Sequence, residues 1–342
     1  MKKWIFHTII FAFTGSAAQD SLGASEHILP EASKPAGLHY SYPSPNRWAG
    51  RKTTKTPVDT ATGKKGREWL VGGLSVLGYG GSFVVLNEAW YKGYPRSSFH
   101  VYNDAAEWQQ VDKAGHAWSA YVSASLTTKA WEWAGLSKSK AVLLGSGTSL
   151  LYLLSIEYLD GRSAEWGWSW ADVGADLFGT GLFAAQEKGW KEQRITLKFS
   201  SHFRNYEGRL RQRADELYGS SLPERLLKDY NAQSYWLSFN LSSLTKISSL
   251  PPWLNLSIGY GADGMYGGYD NFLKDENGNI VFDARNIRRY RQWYLSPDID
   301  LTRIKTGSKL LRTAFFVLNH IKVPAPAVEL SKGRLRLKAI AF

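Results

Sequence analysis

Apolar residues recur at helical spacing through the first half of the chain and alternate with polar residues through the second half. The helical spacing indicates helices with one apolar face, and the alternation indicates strands with one buried face. The sequence therefore predicts an α+β fold, in which an N-terminal four-helix body precedes an antiparallel, β-rich C-terminal part. The predicted helical segments, four long and one short, are 68–91, 103–110, 111–134, 137–158 and 170–190.

The change of period falls near Lys191, and about five to seven strands follow it. We expect them to form a small antiparallel sheet packed on the helical body. Residues 275–279 resemble a calcium loop, but the Gly is misplaced, so a hairpin with an Asn-Gly turn is the better interpretation. The predicted strands outside this hairpin are 194–204, 235–244, 253–260, 292–304 and 332–342, with a charged helix or loop over 206–230 and a helix over 308–319.

Both ends of the chain indicate an exported protein. Residues 1–18 combine a basic start, a short apolar run and small residues, which is typical of a secretory signal peptide. Residues 19–66 have few apolar side chains and are predicted to be a flexible basic leader. The predicted domains after them are the helical residues 67–190 and the basic, β-rich residues 191–342. A last strand that ends on an aromatic residue, here Phe342, is an imperfect match to outer-membrane β proteins. We favour an outer-membrane address because helices this weakly hydrophobic would not readily stop in the inner membrane.

The charge of the chain is unevenly distributed, and this suggests a partner. The net charge is +12 overall, −3 over residues 67–190 and +10 over residues 191–342. A basic exported surface suits anionic partners, so we expect anionic envelope lipid or an outer-membrane protein complex rather than nucleic acid. The chain contains no Cys, which excludes disulfides, thiol nucleophiles and lipid attachment to a Cys within these residues. A secreted chain without disulfides fits the periplasm or outer membrane of a Gram-negative bacterium.

Ionisable residues interrupt the apolar helix patterns at regular intervals. Asp112 and His116 are four residues apart and share one helical face, and the same spacing recurs later in the chain. If the long helices pack together, one His and several carboxylates converge. The predicted polar cluster consists of Asp112, His116, Glu157, Asp160, Asp172 and Asp176.

Three interpretations of this cluster are open. The residues can form a buried structural network, with Lys113 and the helix N-terminus capped by Ser169 as partners. They can be catalytic, with His116, Glu157 and Asp172 as acid and base groups and the pKa of Glu157 raised by burial and like charge. They can also hold a divalent metal through oxygens and one imidazole. The chain has no Walker loop and no His-Glu-x-x-His motif, so we predict no cofactor.

Several spaced motifs resemble the YfiM-like family of uncharacterised bacterial periplasmic or outer-membrane proteins, in its long form from Bacteroidota. The resemblance covers about residues 69–190, and Asp176 departs from it because the family pattern has Asn there. A weaker similarity connects the Asp-Lys-x-x-His pattern to VanZ-like proteins. The resemblance implies an envelope address and a helical fold but no reaction. The motifs are 99–108 (FHVYNDAAEW), 112–116 (DKAGH), 157–161 (EYLDG), 165–172 (EWGWSWAD) and Gly179.

The sequence therefore favours a non-enzymatic protein of the cell envelope, associated with the outer membrane. The alternative is a hydrolase or transferase that acts on envelope lipid or cell-wall material through His116, Glu157 and Asp172.

Overall fold

The computed structural model describes residues 60–87 and 95–342. The predicted signal peptide and residues 19–59 of the predicted leader lie outside the described residues. Four long helices confirm the predicted helical body. The first begins before the predicted residue 68 and takes in the end of the predicted leader, while residues 88–91 of the prediction lie outside the described range. The helices are α1 (Thr60–Leu86), α2 (Val111–Ala134), α3 (Lys138–Asp160) and α4 (Trp170–Gly189).

Helix α2 is the centre of the helical body, and two glycines let its neighbours approach closely. A Cβ on Gly179 of α4 would lie 2.0 Å from the carbonyl oxygen of Ala117. A Cβ on Gly145 of α3 would lie 2.6 Å from the backbone nitrogen of Thr128. Both distances are well inside van der Waals contact, so only glycine permits these helix–helix separations.

The C-terminal part contains more strands than the sequence predicted. The described residues form eight, in a six-stranded antiparallel sheet of order β1-β2-β3-β6-β7-β8 and a separate hairpin β4-β5, which confirms the predicted Asn-Gly hairpin. The strands are β1 (Ile195–Ser201), β2 (Gln233–Asn240), β3 (Leu254–Asp263), β4 (Phe272–Lys274), β5 (Ile280–Asp283), β6 (Tyr290–Ile299), β7 (Ala325–Ser331) and β8 (Arg334–Ala341).

Short helices connect these strands, and one predicted helix is confirmed. Residues 206–230 contain two helices rather than a long loop, and Ser308 caps the helix predicted over 308–319. The predicted strand 235–244 ends at Asn240 because the side chain of this residue accepts from Ser243 N and starts a helix. The additional helices are α5 (Gly208–Tyr218), α6 (Leu222–Lys228), α7 (Leu241–Thr245) and α8 (Lys309–Leu318).

Two sequence predictions were wrong. Strand β7 was missed because Pro324 and Pro326 argue against a strand, yet Pro326 occupies an exposed position of it. Of the short helix predicted over 103–110, only a four-residue 3-10 turn is formed. Residues Glu107–Gln110 make a single turn in which three consecutive residues are left-handed, with φ of 47°, 52° and 64° from Trp108 to Gln110.

The six-stranded sheet packs on the helical body with one face of its first two strands. Leu197 of β1 joins Tyr121 and Phe183 in an apolar core between the sheet, α2 and α4. Trp118 of α2 lies 5.1 Å from the ring of Phe199, measured between ring centroids. From β3 onward the same face carries large apolar side chains that are exposed.

The sheet curls around its other face. Residues between α8 and β7 return to the free edge of β1, where Phe199 N donates to His320 O at 3.0 Å and Lys322 N donates to Phe199 O at 2.8 Å. The enclosed face carries buried charges, with Lys198 and Asp298 2.8 Å apart, beside the apolar cluster of Trp236, Tyr294, Ala327 and Ala341. The curl therefore encloses charged side chains, while many apolar side chains of the other face stay exposed.

The close helix contacts predict a contrast between two glycines of one helix. Replacing Gly179 with Ala should lower the free energy of unfolding by about 2 kcal/mol or more, because the methyl group meets the backbone of Ala117. Replacing Gly181, around which a Cβ meets nothing within 4 Å, should instead raise it by about 0.5–1 kcal/mol. Denaturant unfolding in mild detergent measures both, and equal effects of the two substitutions would contradict this packing.

Candidate functional site: a buried charge cluster

Two of the sequence motifs, at 99–108 and 165–172, lie side by side next to the end of α3 and the start of α4. The segment 97–102 lies along the connection between α3 and α4. Tyr102 N donates to Trp168 O at 3.0 Å, and Trp168 N donates to His100 O at 2.9 Å. This pairing brings Asp104 to the start of α4, where it accepts a hydrogen bond from the hydroxyl of Ser169. The spaced motifs of the sequence are therefore neighbours in space.

Lys113 is the positive centre of the cluster. Its Nζ lies 2.6 Å from Asp104 Oδ2, 2.9 Å from Asp112 Oδ2 and 2.8 Å from Asp172 Oδ1. The side chain is only 12% exposed, so these contacts are made largely away from water. One ammonium group thus connects the 95–110 segment, α2 and α4. The pKa of Lys113 is raised: burial lowers it, but the charges of Asp112 and Asp172 outweigh burial.

His116, one turn further along α2, contacts three carboxylates. Its Nδ1 lies 3.2 Å from Asp176 Oδ1, within hydrogen-bond distance. Its Nε2 lies 3.8 Å from Asp172 Oδ1 and 3.9 Å from Glu157 Oε1, beyond that distance. The predicted convergence of His116, Glu157 and Asp172 is present, with Asp176 as the only direct hydrogen-bond partner of the imidazole among them.

Ser169 connects α4 to the cluster and confirms the predicted cap. Its hydroxyl accepts from Asp172 N at 3.0 Å, which satisfies one of the free N–H groups at the helix start. Its backbone N donates to Glu157 Oε2 at 3.2 Å. Tyr230 closes the other side, because its hydroxyl donates to Asp112 Oδ1 at 2.9 Å. Each of these carboxylates therefore has a donor within the protein.

Burial and crowding raise the pKa of the innermost carboxyl groups. Burial raises the pKa of Glu157 to about 8, helped by the charge of Asp172 and opposed by His116. Burial likewise raises the pKa of Asp172 to about 7 and raises the pKa of Asp176. One interpretation of the sequence held that burial and like charge raise the pKa of Glu157, and both the direction and these causes agree with it.

Asp112 and His116 are instead held in their charged forms, because the pKa of Asp112 is lowered and the pKa of His116 is raised. Burial raises the pKa of Asp112, but the charges of His116 and Lys113 outweigh it and keep that pKa low. The pKa of His116 is raised, because the hydrogen bond to Asp176 and the nearby carboxylates outweigh its burial. Near neutral pH the cluster therefore pairs two cations with ionised outer carboxylates, while Glu157 stays largely protonated.

Three residues have the spacing of a metal site. One ligand atom each from Asp112, His116 and Asp172 lies within 4.8 Å of the other two. Oxygen and imidazole ligands of this kind suit a divalent cation. Lys113, however, already contacts both carboxylates, and its ammonium group would repel a cation placed among them. The donor set thus fits Lys113 better than it fits a metal.

Asp160 lies apart from the centre of the cluster. It is half-buried at the end of α3, and its charge contributes to the raised pKa of Glu157. Sequence reasoning placed it in the polar cluster but missed Asp104 and Tyr230, which bind cluster residues directly. Asp104 carried a signal, since it lies within the motif 99–108. Tyr230 carried none, because it is 118 residues from Asp112 in sequence and their contact is made only by tertiary folding.

The left-handed turn before α2 positions the first cluster residue. Tyr260 donates a hydrogen bond to Gln109 O, and Arg291 donates to Gln110 Oε1 at 2.6 Å. Positive φ values are unfavourable for residues other than glycine, so contacts with the sheet must hold this turn. The C-terminal part therefore helps to set the position of Asp112.

Solvent access to the cluster is limited. The side chain of His116 is 22% exposed, whereas that of Asp176 is fully buried. A surface pocket nearby is lined by residues that include Arg96, Tyr158 and Arg162, but by none of the cluster residues. The arrangement is that of a buried ionic network reached by solvent at one edge.

Comparison with known proteins gives one match. Residues 101–187, about a quarter of the chain, match the model of the family DUF2279, described as a predicted periplasmic lipoprotein. This region contains every residue of the predicted cluster, and the match supports an exported location in the cell envelope. No curated protein and no solved structure matches the chain. The resemblance to YfiM-like and VanZ-like proteins stays a prediction.

The raised pKa of Glu157 predicts how stability changes with pH. The folded protein binds more protons than the unfolded chain between the ordinary pKa of 4.5 and the folded pKa of about 8, so this group makes stability fall as pH rises through that window. His116 contributes with the same sign, because its raised pKa gives stability that is lost as pH rises. Replacing Glu157 with Gln should raise the melting temperature at pH 9 and change it little at pH 5.

The control for this prediction is Glu165→Gln, which neutralises an exposed carboxylate on the same connection. It should leave the pH dependence of the melting temperature unchanged. A Glu157→Gln variant with the same pH dependence as the unmodified protein would contradict the proposed protonation of Glu157.

Proposed function

We infer that this protein is a non-enzymatic component of the cell envelope that associates with the outer membrane and contacts anionic lipid or a membrane protein complex. The observation that carries this proposal is the apolar surface left exposed by the helical body. Trp69 of α1 is 82% exposed, and Val76 and Leu77 on the same helix are nearly as exposed. Apolar patches of this extent mark sites of membrane or protein contact.

Other helices continue this surface. Leu143 and Leu151 of α3 and Phe178 of α4 are also exposed. Among the described residues, the stretches Lys65–Leu86 and Lys138–Asp160 are long and apolar enough to cross a membrane by length and composition, a criterion that core helices and signal sequences also meet. The family description agrees with an envelope location.

The basic C-terminal part supports contact with anionic lipid. Residues 191–342 carry a net charge of +10, and Lys332, Arg334 and Arg336 are exposed near one end of the sheet. Each basic residue near an anionic membrane surface contributes about 1 kcal/mol of attraction. The polar cluster then has a structural role, because its charges are paired within the protein.

Membrane association predicts the behaviour of the protein in fractionated cells. The full chain, produced in a Gram-negative host, should sediment with the outer membrane and resist extraction by 1 M salt, because apolar contact is not screened. The same chain purified in detergent should float with vesicles, and more strongly when they contain phosphatidylglycerol. A chain recovered entirely in the soluble periplasmic fraction would overturn the proposal.

An enzyme that acts on envelope lipid or cell-wall material is the second candidate, and the convergence at His116 favours it. A carboxyl group with a pKa near 8 beside an imidazole is a combination used for general acid–base catalysis. The limited exposure of the cluster favours the structural role instead.

Replacing His116 with Ala separates the two candidates. If the cluster is structural, the variant should lose about 3–5 kcal/mol of stability, because the buried Asp176 loses its partner. If it is catalytic, the variant should unfold at the same temperature and lose hydrolysis of labelled envelope material. Thermal unfolding and the hydrolysis assay, run on the same preparation, decide between these results.

A further inference from the structure

We propose that the outward face of the six-stranded sheet, from β3 to β8, lies in the hydrocarbon of a lipid bilayer. This surface, called the outer face below, deepens the proposed membrane association by naming where lipid is met and rests on that function. The outer face consists of Leu256, Ile258, Trp293, Leu295, Val328, Leu330, Leu335 and Leu337.

Strand register places these residues in continuous rows across the sheet. One row runs from Leu197 to Leu337, and each member lies directly opposite the next. Its members are Leu197, Leu237, Ile258, Leu295, Val328 and Leu337. A second row runs parallel to it and contains Phe199, Tyr235, Tyr260, Trp293, Leu330 and Leu335. No charged residue interrupts either row, so the apolar surface spans all six strands.

The helical body covers only the beginning of these rows. At β1, at β2 and at Tyr260 of β3, these rows pack against apolar side chains of the helical body. Beyond them Leu295 is 46% exposed, and Leu337 on the last strand is 87% exposed. Where the helical body covers these rows, they contact apolar side chains. The uncovered residues are apolar as well, so we expect an apolar environment to cover them.

The opposite face is closed off by the curl, which buries paired charges together with the apolar cluster of Trp236, Tyr294, Ala327 and Ala341. Lys198 Nζ donates to Ile299 O at 2.7 Å, and Asp298 accepts from Ser238 Oγ at 2.6 Å. Lys322 covers this cluster from the segment before β7, with its Nζ 3.6 Å from Asp298 Oδ1. A sheet in water buries its apolar face, whereas this sheet buries its polar face, as sheets surrounded by lipid do.

The chemistry at the end of the rows favours a bilayer over a protein partner or a second copy. Trp293, which is 48% exposed, lies in the row nearest the β7–β8 turn, with its ring centroid 4.7 Å from that of Tyr260. Beyond it lie the exposed basic residues Arg291 and Lys332, of which Arg291 also donates to Gln110 Oε1 before the start of α2. An apolar surface followed by aromatic and then basic residues matches the order from acyl chain to interface to anionic headgroup.

The absence of Cys in the chain permits a direct test by single-site labelling. Leu295→Cys and Leu337→Cys place a fluorophore on the outer face, and Asn277→Cys places one on the exposed hairpin turn between β4 and β5. Each labelled full-length chain is reconstituted into vesicles of phosphatidylethanolamine and phosphatidylglycerol, and flotation confirms binding first. Doxyl lipids should quench the two outer-face labels, and aqueous iodide should quench the label at position 277.

A charge substitution gives an independent readout. Leu295→Glu should reduce partition into vesicles roughly tenfold, because a carboxylate on a lipid-facing strand is costly, whereas Asn277→Glu should not. Bound protein whose outer-face labels are quenched by iodide alone would overturn the inference and leave the proposed function standing. If the outer-face labels are equally shielded from iodide without lipid, and crosslinking gives dimers, the outer face contacts a second copy of the chain. This result would also overturn the inference. Failure of the unmodified chain to float would instead contradict the proposed function.

Discussion

A polar group taken out of water needs a partner, and this constraint organises both halves of the molecule. In the helical body it gathers carboxylates around Lys113 and His116, so that α2, α4 and the segment before them meet at one charged centre. In the C-terminal part it curls the sheet around Lys198 and Asp298. In both places buried charges are paired within the protein, while large apolar side chains remain exposed on the surface.

The two halves depend on each other through the start of α2. The left-handed turn at 108–110 is held by Tyr260 and Arg291 from the sheet, and Tyr230 binds Asp112 directly. The charge cluster, which coincides with the family match, is therefore completed by residues outside that match. The polar network therefore connects the helical body to the C-terminal part, and both parts have exposed apolar side chains.

Much of this architecture is present in the sequence pattern, and the remainder depends on long-range contacts. Periodicity predicted the long helices, and the position of Ser169 predicted the cap of α4 because capping is local chemistry. The spacing of Asp112, His116, Asp172 and Asp176 predicted their shared faces. Tyr230 could not be found this way, because its distance in sequence from Asp112 hides a contact made by tertiary folding.

The alternating pattern did not predict which face of the sheet is buried. Alternation such as Leu-Asn-Leu-Ser-Ile at 254–258 predicts a strand with two different faces but does not say which one is buried. The expectation for a sheet in water was the wrong one here, since Asn255 and Ser257 are buried while Leu256 and Ile258 are exposed. Only the curl of the strands, closed by the segment 320–322, distinguishes the two orientations.

We propose that the apolar outer surface of the folded protein requires a hydrocarbon environment. The mass of detergent bound to the purified, monodisperse chain can be measured by sedimentation velocity. We expect a bound mass comparable to a detergent micelle, and aggregation when detergent is removed. If the chain binds no detergent and stays a folded monomer without it, the outer surface does not need hydrocarbon.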